Sequence, residues 1–401
     1  MLLGRIGDAV DLSALRQSPN VPDHLAQQIE RAAREQAQAM RDEGEAPPDI
    51  DLDTIIRDAH RELVGIGVFG ALLDDEDVSE IHCLRFDQVF TVRANGGVQS
   101  EGGFSTEEAL ARVIARLAHQ VGRPWAPGES IVERRLARSS LVAIAPPVAA
   151  GHVVSIRKRR RLEGTLEELV RQSALSRPMG VFLEACIQAR ANLFVSGLAP
   201  SPLLAALGAA GAPGERVCVV HDVDEIAEPN AHVVSHAIAD TAKLGEDCVR
   251  AAARLNADRL VVMHLAGGVA AGTLEAIAEG ADAVLAGSAA PTLRQGLTRL
   301  SAQLALHRPG LSLDATRDIV AEAFDIAIEV ALVDGRPRVA RIAELGGSDP
   351  KGIVARDIFT WTADGSGEGG FSATGVVPRI ANDMAARGTK LDPSMFKRAG
   401  R

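Results

Sequence analysis

Tyrosine is absent from this chain, and aromatic residues of all kinds make up only 3% of it. Proteins that bind single-stranded nucleic acids commonly stack bases on aromatic side chains, so this composition argues against that class. A basic excess is also missing, because 53 acidic residues outnumber 43 Lys and Arg residues and give a formal net charge of -10. Bulk nucleic-acid binding usually requires the opposite balance. The composition therefore predicts a protein with no nucleic-acid partner.

The sequence also has no paired cysteines and no long apolar run, and we expect no signal peptide. No CxxC pair occurs, and the cysteines are scattered at Cys83, Cys186, Cys218 and Cys248. This spacing argues against a disulfide framework or a structural zinc site, and it fits a reducing compartment. No stretch approaches the roughly 18 uninterrupted apolar residues of a membrane-spanning helix. We therefore expect a cytoplasmic protein that reaches a membrane only through partners.

In other respects the composition is that of an ordinary globular protein, with 46% apolar and 24% charged residues. A chain of 401 residues is too long for one hydrophobic core. Residues 1–50 are predicted to form a helical extension that ends in a Pro47-Pro48 linker, and either a simple appendage or a partner-docking module fits them. Residues 51–160 mix helical and strand patterns and predict a smaller α/β domain, which leaves residues 161–401 as the larger one.

Residues 161–401 alternate short, β-rich apolar runs with longer helical ones. This pattern is typical of an α/β domain with a mostly parallel sheet. Thr165 and Glu168 form a capping box that predicts the start of a helix, and Asp334-Gly335 predicts a hairpin turn. The predicted strands are Asn192–Ser196, Arg216–Val220, Arg259–His264, Ala283–Ala286, Phe324–Leu332 and Arg338–Ile342.

A run of five basic residues begins with Arg157 and Lys158 and ends at Arg161. Such a run is usually a solvated connector between domains. Alternatively, it contacts an anion or an acidic partner. The sequence leaves both interpretations open.

Several short strings occur in an order that matches a known family. They include Glu62-Leu63-Val64-Gly65-Ile66-Gly67, Val78-Ser79-Glu80-Ile81, Asp258-Arg259-Leu260-Val261-Val262, Gly267-Gly268 and Phe371-Ser372-Ala373-Thr374-Gly375. Their shared order and spacing, from about Ile55 to Phe396, resemble the Tad/CpaF family of secretion and pilus-assembly ATPases, relatives of the type II and type IV secretion motors. The resemblance implies a RecA-like fold for the larger domain. In the family, that domain binds ATP between subunits of a hexameric ring.

At the position of the family's Walker A loop, this chain has other residues. The family holds phosphates in a GxxxxGK[ST] loop, whose backbone N–H groups and lysine contact the ligand. The aligned segment is Ser196-Gly197-Leu198-Ala199-Pro200-Ser201-Pro202. It contains no lysine, it is about three residues short of the pattern, and its two prolines lack N–H donors. The resemblance therefore predicts a degenerate nucleotide site that does not hold phosphate.

Three further elements of the family's site are altered. The glutamate that ends the Walker B strand is His264 here, and a neutral imidazole does not suit the oxygen shell of Mg²⁺. The family's acidic box begins with a glutamate and an aspartate; here these positions are His221 and Asp222, and of the acidic residues only Asp222 and Glu225 are retained. The position of the histidine that senses the γ-phosphate is Ala289. Phosphoryl transfer needs such groups to act together. We therefore expect no catalytic residues, and neither ATP nor Mg²⁺ is expected to bind.

The hypothesis that follows is a pseudo-ATPase, a non-catalytic component or regulator of a Tad-like pilus or secretion machine. Its expected partner is an active homologue or an inner-membrane platform protein. Alone, it is expected to be a monomer or small oligomer, and it could enter a mixed ring with the homologue. Five basic residues are candidates for interface or anion contacts: Arg157, Lys158, Arg250, Arg254 and Arg259.

Two alternative functions stay open at the level of sequence. One is a divergent ATPase that uses another lysine, such as Lys243, and the other is a binding module for a different small ligand in the altered cleft. A transition metal held by His221, Asp222 and His264 is a further hypothesis, because imidazole suits zinc or nickel. No CxxC or HExxH spacing supports such a site.

Overall fold

Two β-sheets organise the computed structural model, one in each of two units, Met1–Arg160 and Arg161–Arg401. The structure describes the whole chain except residues 18, 48, 94, 137, 159–161, 163, 213, 222–232, 238–241, 364–368, 387–388, 390 and 399–401. It leaves undescribed the side chains of residues 16–17, 233–237, 242–244, 383 and 386. Asp222, Glu225 and the side chain of Lys243 therefore lie outside the described part of the chain.

The first unit begins with helices α1 (Leu2–Ala9), α2 (Ser13–Gln17), α3 (Asp23–Asp42) and α4 (Leu52–Leu63). Apolar residues recur at helical spacing on α3, as at Leu25, Ile29 and Ala33, and form one buried face. That face shares a hydrophobic cluster with Ala59 and Leu63 of α4. The hydrophobic core of the predicted extension therefore continues into the helix that follows it.

The remainder of the first unit is a six-stranded antiparallel sheet in the order β3-β2-β1-β6-β5-β4. Helix α6 buries Leu110, Val113, Ile114 and Leu117 in the hydrophobic cluster of this sheet. The elements are α5 (Val68–Asp74), β1 (Val78–Arg85), β2 (Gln88–Arg93), β3 (Val98–Glu101), α6 (Glu107–Gln120), β4 (Ile131–Leu136), β5 (Ser139–Ile144) and β6 (Val153–Lys158).

The second unit contains a nine-stranded sheet and eight α-helices among its described residues. Its elements are α7 (Leu166–Arg171), α8 (Arg177–Gln188), β7 (Leu193–Gly197), α9 (Ser201–Ala209), β8 (Val217–His221), β9 (Val233–Ala237), α10 (Ala242–Arg254), β10 (Arg259–Val262), α11 (Gly267–Ala278), β11 (Val284–Ala289), α12 (Leu293–His307), α13 (Leu313–Ala323), β12 (Ile326–Val333), β13 (Arg336–Asp349), β14 (Gly352–Thr362), β15 (Gly370–Ala373), α14 (Arg379–Ala386) and a 3₁₀ helix, Pro393–Phe396.

Six neighbouring strands of this sheet are parallel, in the order β9-β8-β10-β11-β7-β12, and antiparallel β13, β14 and β15 extend it beyond β12. Alternate residues enter two hydrophobic clusters, with Val217 and Val219 in one and Cys218 and Val220 in the other. A strand with both faces buried needs helices on both sides of the sheet. The predicted α/β class with a mostly parallel sheet is confirmed.

Local signals in the sequence placed two features of this unit correctly. Thr165 and Glu168 form both hydrogen bonds of a capping box at the start of α7. Asp334 and Gly335 have φ values of 51° and 73° and connect antiparallel β12 and β13, as a primed hairpin turn requires. The sequence patterns did not predict β9, β14 or β15, and they covered less than half of β13.

No described helix is both long enough and apolar enough to cross a lipid bilayer.

Candidate functional site: the carboxyl edge of the parallel sheet

The carboxyl ends of β8, β10, β11 and β7 meet at one edge of the sheet, where α/β proteins commonly bind ligands. Gly197 at the end of β7 pairs with Ala289 at the end of β11. Val262, which ends β10, pairs with Val220 beside His221. The fold therefore brings the described residues of the predicted degenerate site to the same edge, although they are far apart in the sequence.

The backbone between β7 and α9 is already engaged within the protein. The N–H of Leu198 donates to the carbonyl of Val330 at 3.0 Å, and the carbonyl of Gly197 accepts from Ala290 at 2.9 Å. Pro200 occupies the N-cap position of α9 and Pro202 lies in its first turn, and neither has an N–H to donate. Three of the five residues from Leu198 to Pro202 therefore offer no amide hydrogen to a ligand, which disfavours a backbone anion site.

Close packing surrounds this loop. A Cβ atom on Gly197 would lie 1.9 Å from the carbonyl oxygen of Val330, and one on Gly287 would lie 2.3 Å from a methyl carbon of Leu204 in α9. Ser196 is fully buried, and a Cβ on Gly296 of α12 would lie 2.2 Å from its hydroxyl oxygen. Ser196 is therefore a packing residue between β7 and α12 and does not face an open cleft. The helix itself begins at Ser201, the first residue of an apolar segment.

The two histidines lie at the ends of neighbouring strands but at different levels. His221 ends β8 and is buried. The N–H of Met263 donates to the carbonyl of Val220 at 2.9 Å, so Met263 lies beside the end of β8. His264 is the next residue along the chain and lies in the half-buried segment beyond β10. Among the residues whose positions are described, no three His, Cys, Asp or Glu side chains converge as metal ligands. Because Asp222 lies outside that set, the metal hypothesis stays a prediction.

One carboxylate at this edge was not predicted from the sequence. Glu329 of β12 pairs in register with Ser196, and its carboxylate accepts a hydrogen bond from the N–H of Leu293 at 2.7 Å. It thereby binds the first turn of α12, where an acidic group is favoured by the helix dipole. Ala289 is exposed, and its carbonyl accepts from Arg299 at 2.7 Å. The role of Glu329 depends on strand register, which leaves no local signal in the sequence.

The interpretation of Arg259 as an interface or anion contact was wrong. Its side chain is 1% exposed, and its guanidinium pairs with the carboxylate of Glu215 at 2.7 Å. A second N–H group points at the carbonyl of Ile187 at 3.5 Å. Arg259 is thus an internal ion pair at the opposite end of β10 from His264, and no partner reaches it in the folded unit.

The other four basic candidates differ in their contacts. Arg157 is exposed and pairs with Glu80 at 3.1 Å. Lys158 donates to the carbonyl of Asp75 at 2.6 Å, and burial lowers the pKa of its ammonium group. Arg250 pairs on its own helix with Glu246 and Asp247, at 2.8 and 2.9 Å. Arg254 is exposed at the end of α10, so it is the candidate best placed to contact a partner.

Known proteins similar to this chain are concerned with conjugal transfer and type IV secretion. The chain is 29% identical over 329 residues to a "putative conjugal transfer protein" of Mycobacterium tuberculosis (strain ATCC 25618 / H37Rv), which covers 77% of this chain and 92% of that protein. It is 25% identical over 309 residues to the type IV secretion system protein PtlH of Bordetella pertussis (strain Tohama I), which covers 68% and 91% respectively. No protein-family model matches the chain.

Among solved structures, the ATPase DotB of Legionella pneumophila aligns with 15% identity and a TM-score of 0.47, over 76% of this chain and 83% of that one. A similarity of this size does not establish a common fold, so the α/β assignment rests on the strand order described above. The sequence similarities agree with the broader part of the family resemblance, a relationship to proteins of conjugal transfer and type IV secretion.

Proposed function

We propose that this protein is a non-catalytic component of a secretion or conjugation machine related to Tad-type pilus assembly, and that it acts by binding an intact ATPase homologue. The cellular process is proposed from the relatives, whose similarity extends over most of this chain. The absence of catalysis is proposed from the altered residues at the carboxyl edge of the sheet.

The observation that carries the proposal is the backbone arrangement from Gly197 to Pro202. A phosphate-binding loop needs several unengaged N–H groups and a cation directed at one point. Here the N–H of Leu198 is bonded to Val330, two residues are prolines, and the segment has no lysine. Restoring a phosphate site would require a longer loop as well as a lysine, so no single substitution separates this chain from an ATPase.

The retained parts of the fold favour a role in protein contacts. Among the described residues, six parallel strands pair in one sheet and two hydrophobic clusters pack on it. A chain that keeps this framework while lacking the chemical groups is most economically explained by selection for its surfaces. Arg254, which is exposed and aligns with an arginine of the Tad/CpaF family, is the residue through which we test such a surface.

Assembly is the first test. Purified alone, the protein is expected to be a monomer or small oligomer in light scattering, because no nucleotide bridges its subunits. Mixed with the intact homologue from the same genome, it is expected to elute as a heteromeric complex in size-exclusion chromatography. The variant Arg254→Glu is expected to weaken that complex about tenfold, since it replaces an attraction by a repulsion across an interface.

The matched control is Arg336→Glu, which changes an exposed arginine of the β12–β13 turn by the same charge. It is expected to leave assembly unchanged. A stable homohexamer at micromolar concentration, or the absence of any complex with the intact homologue, contradicts the proposal. If the complex forms and both variants bind the homologue with the same affinity, Arg254 does not lie in the interface, although the complex itself is established.

A further inference from the structure

A pocket of about 330 Å³ lies between α12, α13 and the β13–β14 hairpin. Four cationic side chains line it, Arg294, Arg317, Arg341 and Lys351, and its lining includes no carboxylate. This volume falls within the roughly 300–1,000 Å³ typical of small-molecule sites. The pocket lies outside the altered nucleotide loop and shares no residue with the Leu198–Pro202 segment.

Two of the four cations are neutralised within the protein, and two are available. Arg317 pairs with Asp314 at 3.0 Å, and Arg341 pairs with Asp357. Arg294 and Lys351 are exposed, and neither forms an ion pair with any residue that the structure describes. The pocket therefore carries an excess of about two positive charges over its paired carboxylates, which a small dianion would balance.

The floor of the pocket includes apolar side chains. Ile353 and Ala355 of β14 line it and are half-buried, beside the buried Leu293 and Leu297 of α12. A free inorganic anion would leave this apolar surface in contact with water, whereas an anion with an apolar body would cover it. Charge at the rim and apolar surface below together define the chemistry of the ligand.

Another pocket lined by arginines lacks this asymmetry. The cavity of about 310 Å³ beside α10 and α11 is lined by Arg250 and Arg254, but also by Glu275, Glu279 and Asp282. Its three carboxylates outnumber its two arginines, so it does not favour an anion. Of these two pockets, only the one at α12 has an excess of positive charge.

We propose that the pocket formed by α12, α13 and the β13–β14 hairpin binds a small phosphate monoester with an apolar body, held by Arg294 and Lys351 and seated on Ile353 and Ala355. The phosphate provides the two negative charges that the rim lacks. The apolar body of the ligand covers the apolar side chains of the floor. This site is independent of the function proposed above, and it would exist whether or not the chain binds a homologue.

The test uses phenyl phosphate and inorganic phosphate as probes, titrated into the full chain by calorimetry at low ionic strength. We expect saturable binding of one phenyl phosphate per chain and a Kd about tenfold lower than that of inorganic phosphate, because the ring covers the apolar floor. Added salt is expected to weaken both, since exposed charges are screened.

The double variant Arg294→Ala/Lys351→Ala is expected to raise the Kd for phenyl phosphate about tenfold or more. Its control is Arg171→Ala/Arg336→Ala, which removes two exposed arginines of the same unit outside the pocket and is expected to retain wild-type affinity. All four positions are on the surface or at the rim, so unchanged melting temperatures show that both variants fold.

Three results would overturn the proposal. The first is no saturable binding by the wild type. The second is an equal loss of affinity in the two double variants, which would indicate binding through overall charge alone. The third is equal affinity for phenyl phosphate and inorganic phosphate, which would remove the apolar body from the ligand class.

Discussion

Replacing Gly197 by alanine is expected to destabilise the C-terminal unit by about 3 kcal/mol or more, which corresponds to a melting temperature lower by roughly 6 °C or more. The added methyl carbon would lie 1.9 Å from the carbonyl oxygen of Val330 and 2.7 Å from its carbonyl carbon. These are backbone atoms of a central strand, so they cannot rotate away as a side chain could. Thermal unfolding of the variant beside the wild type measures the effect.

Gly346→Ala is the matched control for this substitution. The nearest heavy atom to a Cβ at Gly346, outside its immediate neighbours, is the carbonyl oxygen of Val354 at 3.9 Å, an ordinary contact distance. Its melting temperature is expected to change by the small amount typical of an unstrained surface substitution, within about 0.5 kcal/mol. If Gly197→Ala melts at the same temperature as this control, the close approach of β7 and β12 is not as the structure describes it.

Glu215→Ala is expected to have the second large effect, a loss of about 3 kcal/mol in the free energy of unfolding. Removing one partner of a buried ion pair leaves the other charge without compensation, which costs about 3–5 kcal/mol. Arg259 is 1% exposed, whereas the side chain of Glu215 is 22% exposed. Water can therefore reach part of the pair, and we expect the lower end of that range. Denaturant unfolding measures the loss.

The control for the ion pair is Asp282→Ala. Asp282 pairs with Arg190 at 2.7 Å, but the two side chains are 56% and 40% exposed. Exposed pairs contribute about 0–1 kcal/mol, so this variant is expected to unfold close to the wild type. Similar losses in the two variants would show that burial of Arg259 does not determine the strength of its pairing.

Sequence patterns missed one parallel strand, β9, because Ser235 and His236 interrupt its apolar run. They predicted the other five because those strands are mostly apolar on both faces. Leu193 to Val195 and Val217 to Val220 are such runs, and they lie within observed strands. The antiparallel strands β14 and β15 were missed because they carry charged and small residues among the apolar ones, as at Arg356, Asp357 and Gly370. A mixed pattern of this kind favours no single period.

The candidate site was predictable in part for a similar reason. Alignment with a family places residues at the carboxyl edge of the sheet, and the structure brings Gly197, Ala289 and His264 to that edge. How deeply a side chain is buried, and which residue of the next strand it pairs with, cannot be read from the residues beside it in the sequence. The burial of Arg259 and the contact of Glu329 with α12 depend on which strand lies beside which. A sequence motif identifies the position of such residues but not their partners.

The absence of nucleotide chemistry is the central claim, and equilibrium binding of ATP with and without Mg²⁺ tests it most directly. The measurement uses the wild type and the Arg294→Ala/Lys351→Ala variant, so that phosphate groups bound in the pocket at α12 are distinguished from a nucleotide at the β7–α9 loop. Turnover is measured on the same samples by phosphate release. The account predicts that ATP binds the double variant neither saturably nor with Mg²⁺ dependence, and that neither sample hydrolyses it above background. Micromolar affinity for ATP in the double variant, together with Mg²⁺-dependent hydrolysis, would contradict it.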